Sequence, residues 1–342
     1  MAGIDDVARR AGVSTATVSR ALRGLPEVRE STRARVLQAA ADLHYTPSSS
    51  AASLASGRSR TIGLLTASFV RWFNRNVVAG AERHLRSEGY DVLLHAFDHE
   101  PDGSRTPIDM SRLQRRVDGV LVLGIPLTPL ELEALDRLEV PVVFVGTAPP
   151  GRVRVSMDDA AGARMAIEHL VSLGHRRIGQ VTTMLPHDSA WQSPPERETA
   201  AQEALARAGL DTDPALRAFG DYTQDSGRRA AAELLDRVPD LTAIFAHSDE
   251  MAFGVLEELR ARGIGVPDQI SVMGIDGHEL DDLIGLSTIQ QDATTQGETG
   301  AMLLLNLIHG EAVDPEARFA IRCVKRHSTG PVMQSTIMSH AP

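Results

Sequence analysis

Apolar residues recur every three or four positions in three segments of the first 45 residues, and this spacing predicts three short helices. The first segment stops at Gly12, a residue that permits the positive φ of a tight turn. Ser14 has the residue type of an N-cap and starts the second segment. The third follows Glu30 or Ser31 and ends before Pro47. The apolar positions are Ile4, Val7, Ala8 and Ala11, then Val18 and Leu22, and finally Val36, Leu37, Ala40 and Leu43.

From residue 61 onward, short runs rich in valine and leucine alternate with longer segments of helical period. This alternation is typical of parallel sheets covered by helices, and it forms two sets, which predicts two α/β lobes. We expect residues 289–291 to cross between the lobes and a helix over 294–309 to return to the first one. The predicted strands are 61–66, 91–96, 119–124, 141–146, 177–182, 242–247 and 270–275, and the predicted helices between them are 74–88, 107–116, 129–138, 196–209, 225–237 and 249–262.

A serine-rich stretch separates the helical head from the lobes. By composition alone, residues 48–60 are a flexible linker. The alanines around Leu54 are nevertheless acceptable in a helix, and a helix this short is marginal in water until something docks against it. Both interpretations stay open at this point, and the second predicts a hinge that DNA would order.

Composition indicates a folded protein with a basic head and an acidic body. Hydrophobic residues make up 42% of the 342 residues and charged residues 23%. Residues 1–60 contain nine arginines and five acidic residues, whereas the whole chain has a net charge of −10. This asymmetry favours a head that meets nucleic acid, although a charge of +4 is also compatible with an ordinary solvated surface.

The chain has no run of about 18 apolar residues and no apolar signal region near Met1, so we expect a cytoplasmic protein. Cys323 is the single cysteine, which leaves neither an intrachain disulfide nor a cysteine pair for zinc. Phosphate-loop and HExxH motifs are absent. His187, Asp188 and Ser189 are merely adjacent in sequence, whereas a catalytic triad is assembled from separated segments. We therefore expect no enzyme, no cofactor and no metal.

Helix, glycine-containing turn and helix form the helix-turn-helix arrangement, in which the second helix enters the major groove. The methyl groups of Thr15 and Ala16 suit thymine methyls, and Arg20 can form a bidentate hydrogen bond to guanine. Hydroxyl side chains suit phosphate contacts, which position the helix without reading sequence. A three-helix packing unit without a DNA role is the alternative. The hydroxyl residues are Ser14, Thr17 and Ser19.

The run DVARRAGVSTATVSRALRG over residues 6–24, followed by TRARVLQAAADLHYTP over 32–47, resembles the head of the lactose-repressor (LacI/GalR) family of bacterial transcription regulators. The resemblance implies that Thr15, Ala16 and Arg20 read bases. Arg23 stands where many members have asparagine. The resemblance also implies that Leu54 wedges into the minor groove from a hinge helix, and because two hinges must lie side by side, it implies a homodimer.

The resemblance extends over about residues 4–329 and implies a periplasmic-binding-protein-like body with an effector site between its lobes. It implies that Arg197 grips the effector and Tyr222 covers it, that Trp72 and Phe73 provide an apolar platform, and that residues 327–330 form the terminal strand. Asp249 and Asp276 directly follow predicted strands, where ligands bind in open α/β folds.

Each of these residues also has a structural alternative. Asp249 could cap the helix that it starts, as Asp158 or Asp159 could cap the helix near residue 160. The two aromatic residues could be core or dimer contacts, and Arg197 could form a surface ion pair.

The expected fold is therefore α/β, with an all-α helix-turn-helix head joined by a hinge helix to a two-lobed body. We expect the head at 1–46, the hinge at 47–60 and the body at 61–342. The N-lobe is expected at about 61–158 plus 290–318 and the C-lobe at about 159–289 plus 319–330.

The expected function is a dimeric repressor of carbohydrate-utilisation genes that binds a pseudo-palindromic operator and responds to a sugar or sugar derivative. A nucleobase or nucleotide corepressor is the main alternative. A solute-binding protein or a sugar-acting enzyme is a weaker one.

Overall fold

The computed structural model describes residues 2–22, 26–45, 58–67, 70–97, 106–125, 127–183 and 196–332. Within them the head contains the three predicted helices, which are α1 (Ile4–Ala11), α2 (Thr15–Leu22) and α3 (Glu30–Asp42). Gly12 ends α1 with a φ of 67°, so the prediction of a left-handed turn at this glycine is confirmed.

The three helices of the head bury one small core of mostly short side chains. Val7, Val18 and Val36 are its fully buried members, one from each helix. The inner side of α3 is formed by Val36, Ala39, Ala40 and Leu43. The prediction that Leu37 belongs to this side is wrong, because its side chain is 50% exposed.

Within its described residues, the body contains two six-stranded sheets, each with helices packed against it. The N-lobe sheet has the order β11-β5-β4-β3-β1-β2, and the C-lobe sheet has the order β12-β10-β9-β8-β6-β7. The strands are β1 (Thr61–Thr66), β2 (Asp91–Ala96), β3 (Gly119–Leu123), β4 (Val142–Val145), β5 (Arg154–Met157), β6 (Ile178–Thr183), β7 (Arg217–Gly220), β8 (Ala243–Ala246), β9 (Ser271–Asp276), β10 (Ser287–Gln290), β11 (Glu316–Phe319) and β12 (Arg322–Val324).

The helices of the described body fall between these strands and close to the predicted ranges, which confirms the α/β fold class. They are α4 (Trp72–Ser87), α5 (Pro129–Asp136), α6 (Asp159–Ser172), α7 (Glu196–Arg207), α8 (Gln224–Arg237), α9 (Asp249–Ala261), α10 (Asp281–Ile284) and α11 (Ala293–Ile308).

The chain passes between the lobes at three places in the described residues. β5 leads into α6, β10 leads into α11, and β11 leads into β12. α11 packs against α4 in the N-lobe, although it follows a C-lobe strand. Three crossings bring the carboxyl ends of the central strands of both sheets to the same gap, which is called the cleft below.

Two predictions about secondary structure are wrong. Residues 107–116 form only a short 3-10 turn at Met110–Arg112, because the Asp109 carboxylate accepts a hydrogen bond from the Ser111 amide at 3.1 Å and competes with helix formation. Residues 327–330 are not a strand. The last strand of the described chain is β12, antiparallel to β10.

Glycines allow the helices of each lobe to pack at short range. A Cβ atom at Gly80 of α4 would lie 2.0 Å from the Thr294 carbonyl oxygen of α11, and one at Gly297 of α11 would lie 2.1 Å from the Val77 carbonyl oxygen of α4. Gly227 and Gly254 have the same relation between α8 and α9. Because backbone atoms cannot move aside as a flexible side chain can, these positions require glycine.

We expect Gly80→Ala to lower the free energy of unfolding by about 1–3 kcal/mol, although alanine is the better helix former. Gly265→Ala is the matched control, because its Cβ would lie 3.4 Å from Gln269 Oε1, an ordinary contact. Chemical denaturation of both variants measures the difference. Equal stability of the two variants would contradict the proposed close packing of α4 and α11.

Candidate functional sites

The second helix of the head begins with a side-chain cap. The Ser14 hydroxyl oxygen accepts a hydrogen bond from the Thr17 amide at 3.2 Å and lies 2.9 Å from the Thr17 hydroxyl. The prediction that Ser14 is an N-cap is therefore confirmed. In this structure the Ser14 and Thr17 hydroxyls hold the start of α2.

The outer side of α2 carries the residues that were predicted to read DNA bases. Thr15, Ala16 and Arg20 are exposed, and Ser19 is half-buried. Val18 and Ala21 point into the head core. These two sides give α2 one face for packing and one face for a partner.

Arg20 is one of three arginines in the described part of the head, with Arg29 and Arg35, that are exposed and form no ion pair there. Arg9, Arg10 and Arg33 each form an ion pair with an acidic residue of the head. Among the described residues, no acidic side chain pairs with Arg20. Its guanidinium is therefore available to an outside acceptor. The predicted DNA contacts of Arg23 and Leu54 lie outside the described residues.

On the N-lobe side, the first turn of α4 forms one wall of the cleft. Phe73 packs over Gly124 and Gly146, which follow β3 and β4 and both have positive φ. A Cβ at Gly146 would lie 3.3 Å from the Phe73 ring. Phe73 is half-buried, whereas Trp72 is only 7% exposed and belongs in part to the N-lobe core.

On the C-lobe side, Asp276 ends β9 with a φ of 144°, a conformation that L-residues rarely adopt. Its carboxylate accepts a hydrogen bond from the Gln291 amide group at 2.8 Å. The Gln291 oxygen in turn accepts one from Gln296 of α11, also at 2.8 Å. Burial and the nearby Asp249 raise the pKa of Asp276. Strained backbone at a strand end indicates a functional position.

Asp249 is fully buried and bonded within the C-lobe. One carboxylate oxygen accepts hydrogen bonds from the amides of Gly277 and His278, at 2.6 and 3.0 Å, and the other accepts one from the Thr288 hydroxyl at 2.7 Å. The alternative prediction that Asp249 caps α9 is wrong, because the Ser248 hydroxyl does so. The geometry gives Asp249 the role of holding the loop after β9.

A second buried acid lies beside Asp249. Asp281 is fully buried, and the nearest cationic atom paired with it is Arg326 Nη1 at 3.9 Å. Burial and the Asp249 carboxylate raise the pKa of Asp281 to about 9. Because two adjacent buried carboxyls cannot both ionise cheaply, Asp281 holds a proton at neutral pH and can donate it to Asp249.

Arg197 is the second residue of α7, and its guanidinium donates to the carboxylate of Asp159, the first residue of α6, at 3.0 and 2.6 Å and to the His247 carbonyl. Although burial opposes it, the carboxylates of Asp159 and Asp276 raise the pKa of Arg197. Arg197 therefore stays charged and is paired with Asp159, and its contact with an effector stays a prediction. It forms an ion pair, but not the exposed surface pair that was the alternative.

Tyr222 lies between β7 and α8 of the C-lobe and is also near this group. Tyr222 has a φ of 66° and is 42% exposed, and its hydroxyl accepts a hydrogen bond from the Thr183 hydroxyl at 3.2 Å. Burial and Arg197 lower the pKa of His247 to about 3, so this ring is neutral. The Asp158 carboxylate caps α6 by accepting a hydrogen bond from the Ala161 amide at 2.8 Å. The Asp159 carboxylate is therefore not needed as the cap and pairs with Arg197.

Sequence reasoning missed three cleft residues, Glu250, His278 and Gln291. Glu250 and His278 lie one and two residues beyond the predicted Asp249 and Asp276. Asp249 and Asp276 were predicted because ligands bind just after strand ends in open α/β folds. The same rule, applied to the whole segment after each strand, includes Glu250 and His278. Gln291 lies at a crossing, and only the folded arrangement shows that it contacts Asp276.

A helix-turn-helix head with an exposed second helix, and a two-lobed body with a polar cleft, define a transcription regulator with a ligand-binding body. Residues 3–48 match the model of the bacterial regulatory proteins of the lacI family, and residues 167–329 match the model of a periplasmic binding protein-like domain. The HTH-type transcriptional regulator CelR of Thermobifida fusca is 33% identical over 328 residues, covering 91% of this chain and 93% of CelR. The chain belongs to the lacI family.

Solved structures agree with this family. A complex of the transcriptional regulator CelR with cellobiose matches with a TM-score of 0.70 and 32% identity, over 96% of this chain and 100% of that one. The lac repressor dimer bound to operator and the anti-inducer ONPF matches with a TM-score of 0.83 and 28% identity, over 96% and 99% of the two chains. Within the described residues, no helix is both long and apolar enough to span a membrane.

The raised pKa of Asp281 predicts a pH dependence of stability. The folded protein keeps a proton that the unfolded chain releases near pH 4, so the stability from this group is present below that pH and is lost as the pH rises toward 9. Asparagine does not ionise and can still donate to Asp249. We therefore expect Asp281→Asn to gain stability relative to wild type as the pH rises.

Urea unfolding at pH 5 and pH 8.5 measures this gain. Asp268→Asn is the control, because Asp268 is an exposed aspartate in the loop before β9. If the difference between Asp281→Asn and wild type were the same at both pH values, Asp281 would not hold the proton.

Proposed function

We propose that this protein is a cytoplasmic repressor that binds a pseudo-palindromic operator as a homodimer and changes its affinity for that operator when a small sugar-like effector occupies the cleft. In this proposal residues 1–46 read the operator, residues 47–60 form the hinge and residues 61–342 bind effector and partner subunit. The genes under its control are expected to serve carbohydrate utilisation.

The observation that carries the DNA-binding part is the free outer face of α2. Thr15, Ala16 and Arg20 are exposed together on this face, and Arg20 has no acidic partner among the described residues. Small methyl-bearing residues allow the helix to approach the base edges closely, and a guanidinium can then bond both acceptors of a guanine. A three-helix unit with a purely structural role would not need this exposed arrangement of side chains.

The cleft favours an uncharged ligand with hydroxyl groups. Arg197 is neutralised by Asp159, whereas Asp276 and Glu250 lie close enough to each other for their charges to interact. A phosphate or carboxylate ligand would meet these acidic groups, whereas sugar hydroxyls can donate to them. The half-buried Phe73 ring offers an apolar surface of the kind that packs against the face of a sugar ring.

Lobe closure provides a physical link between ligand and DNA. A ligand that binds one arrangement of the lobes more tightly shifts the protein toward that arrangement. If the arrangement also alters how two heads meet one operator, ligand and DNA affinities are coupled, and the coupling is reciprocal. This scheme needs no catalytic step, and we propose none.

We expect Arg20→Ala to weaken binding to an operator selected from a random duplex library by roughly 1–3 kcal/mol, because one bidentate base contact is lost. Binding to unrelated duplex DNA should change little. Fluorescence anisotropy with both duplexes measures the two affinities, and Arg9→Ala, which alters an exposed arginine of α1, is the control. An equal loss on both duplexes would mean that Arg20 contacts phosphate instead of a base.

We expect Asp276→Ala to abolish the response of operator binding to a sugar effector while operator affinity without effector stays near the wild-type value. Cellobiose is the first sugar to test, with purine bases as the alternative class of ligand. Asp268→Ala is the control, because this exposed aspartate lies in a loop before β9. A full response in the Asp276→Ala variant would contradict the assignment of the effector site to the cleft.

A further inference from the structure

Helix α4 begins without a capping side chain of its own. Its N-cap residue, Arg71, makes no side-chain hydrogen bond to the helix, and the first turn contains no acidic residue. The first amide groups of a helix have no acceptor within the helix and form the positive end of its dipole. The start of α4 therefore depends on an acceptor from elsewhere in the body.

The acceptor comes from the other lobe. Glu250 Oε2 accepts a hydrogen bond from the Trp72 amide, the first of α4, at 3.3 Å. Glu250 is the second residue of α9 in the C-lobe, and α9 has its own cap, since the Ser248 hydroxyl accepts from the Met251 amide at 3.2 Å. Glu250 is thus not needed at the start of its own helix, and it caps α4 across the cleft.

Two more contacts join the first turn of α4 to the loop after β9. Arg75 forms an ion pair with Glu279, and both side chains are about half exposed. The Trp72 ring lies 6.1 Å from the His278 ring, measured between centroids. This loop is held in turn by Asp249, which accepts from the His278 amide. A single turn of one N-lobe helix thus meets the C-lobe through three residues of that lobe.

We propose that Glu250 is a positioning residue that stabilises the closed arrangement of the lobes by capping α4 from the opposite lobe. The Arg75–Glu279 ion pair stabilises the same arrangement. Opening the lobes leaves the Trp72 amide without its carboxylate and separates an ion pair. The protein itself therefore stabilises part of the closed state before any ligand arrives.

The regulatory consequence rests on the proposed function. A ligand that binds the closed cleft gains affinity in proportion to the fraction of molecules that are already closed. Glu250, Arg75 and Glu279 would then set the effector concentration at which the regulator responds, because they stabilise the closed arrangement of the lobes. The closure itself needs neither effector nor operator, so it can be tested in their absence.

Trp72 is the reporter for this test. The chain contains two tryptophans, Trp72 and Trp191, so Trp191→Phe leaves Trp72 as the only one. In that full-length background without ligand or DNA, Glu250→Ala should lower the ratio of closed to open molecules roughly fivefold, the change expected from losing one helix cap. Acrylamide quenching of Trp72 fluorescence and the radius of gyration from X-ray scattering should both increase.

Two matched variants separate capping from a general disturbance of α9. Glu250→Gln keeps an acceptor oxygen at the same place, so its quenching should lie between those of the parent and Glu250→Ala. Glu257→Ala alters an exposed glutamate of the same helix whose carboxylate accepts from Gln224, and it should match the parent. Quenching and radius in Glu250→Ala equal to those of Glu257→Ala would overturn the proposal.

Charge reversal tests the contribution of the Arg75–Glu279 ion pair. This test does not require the Glu250→Ala variant to be well folded. Arg75→Glu and Glu279→Arg should each open the cleft, whereas the double variant should restore quenching and radius toward the parent. If the double variant does not restore quenching and radius, the Arg75–Glu279 pair does not stabilise the closed state. If the variants behave as expected but no ligand alters operator binding, the closure mechanism stands and the proposed function fails.

Discussion

The buried carboxylate of Asp249 is the interaction on which the C-lobe side of the cleft depends. It accepts from the amides of Gly277 and His278 and from the Thr288 hydroxyl, and it lies beside the protonated Asp281. Buried charge is costly unless several donors satisfy it, and here two donors come from the loop after Asp276 and one comes from β10. The Asp249 carboxylate therefore holds in position both Asp276, which is proposed to bind the effector, and the residues of the following loop that face α4.

The N-lobe side depends on a different constraint, the close approach of α4 and α11. Gly80 and Gly297 let the two backbones touch, so α4 packs tightly against α11 in the N-lobe. Within the described residues, the chain joins the two lobes at three crossings. One crossing already carries the chain of hydrogen bonds from Asp276 through Gln291 to Gln296. Packed bodies joined at a few segments switch between discrete arrangements rather than deforming continuously.

The sequence predicted the parts of this fold that have a strong period. The head helices and most of the buried central strands were found because each repeats apolar residues over several turns or forms an apolar run. The edge strands β7, β11 and β12 and the inner strands β5 and β10 were not predicted as strands, since each has only three or four residues and at least one polar side chain interrupts its apolar run. The pairing of Arg197 with Asp159 and the bond between Glu250 and Trp72 join distant segments that no local pattern connects.

Capture of sheared genomic DNA by the full-length protein at physiological salt, followed by sequencing of the retained fragments, shows whether the head reads DNA sequence. The capture is run with and without a mixture of sugars and nucleobases, so that either class of effector can act. We expect a pseudo-palindromic sequence upstream of a few genes to be enriched, and we expect sugars to change this enrichment. Retention of no preferred sequence under any of these conditions would contradict the claim that the head reads DNA.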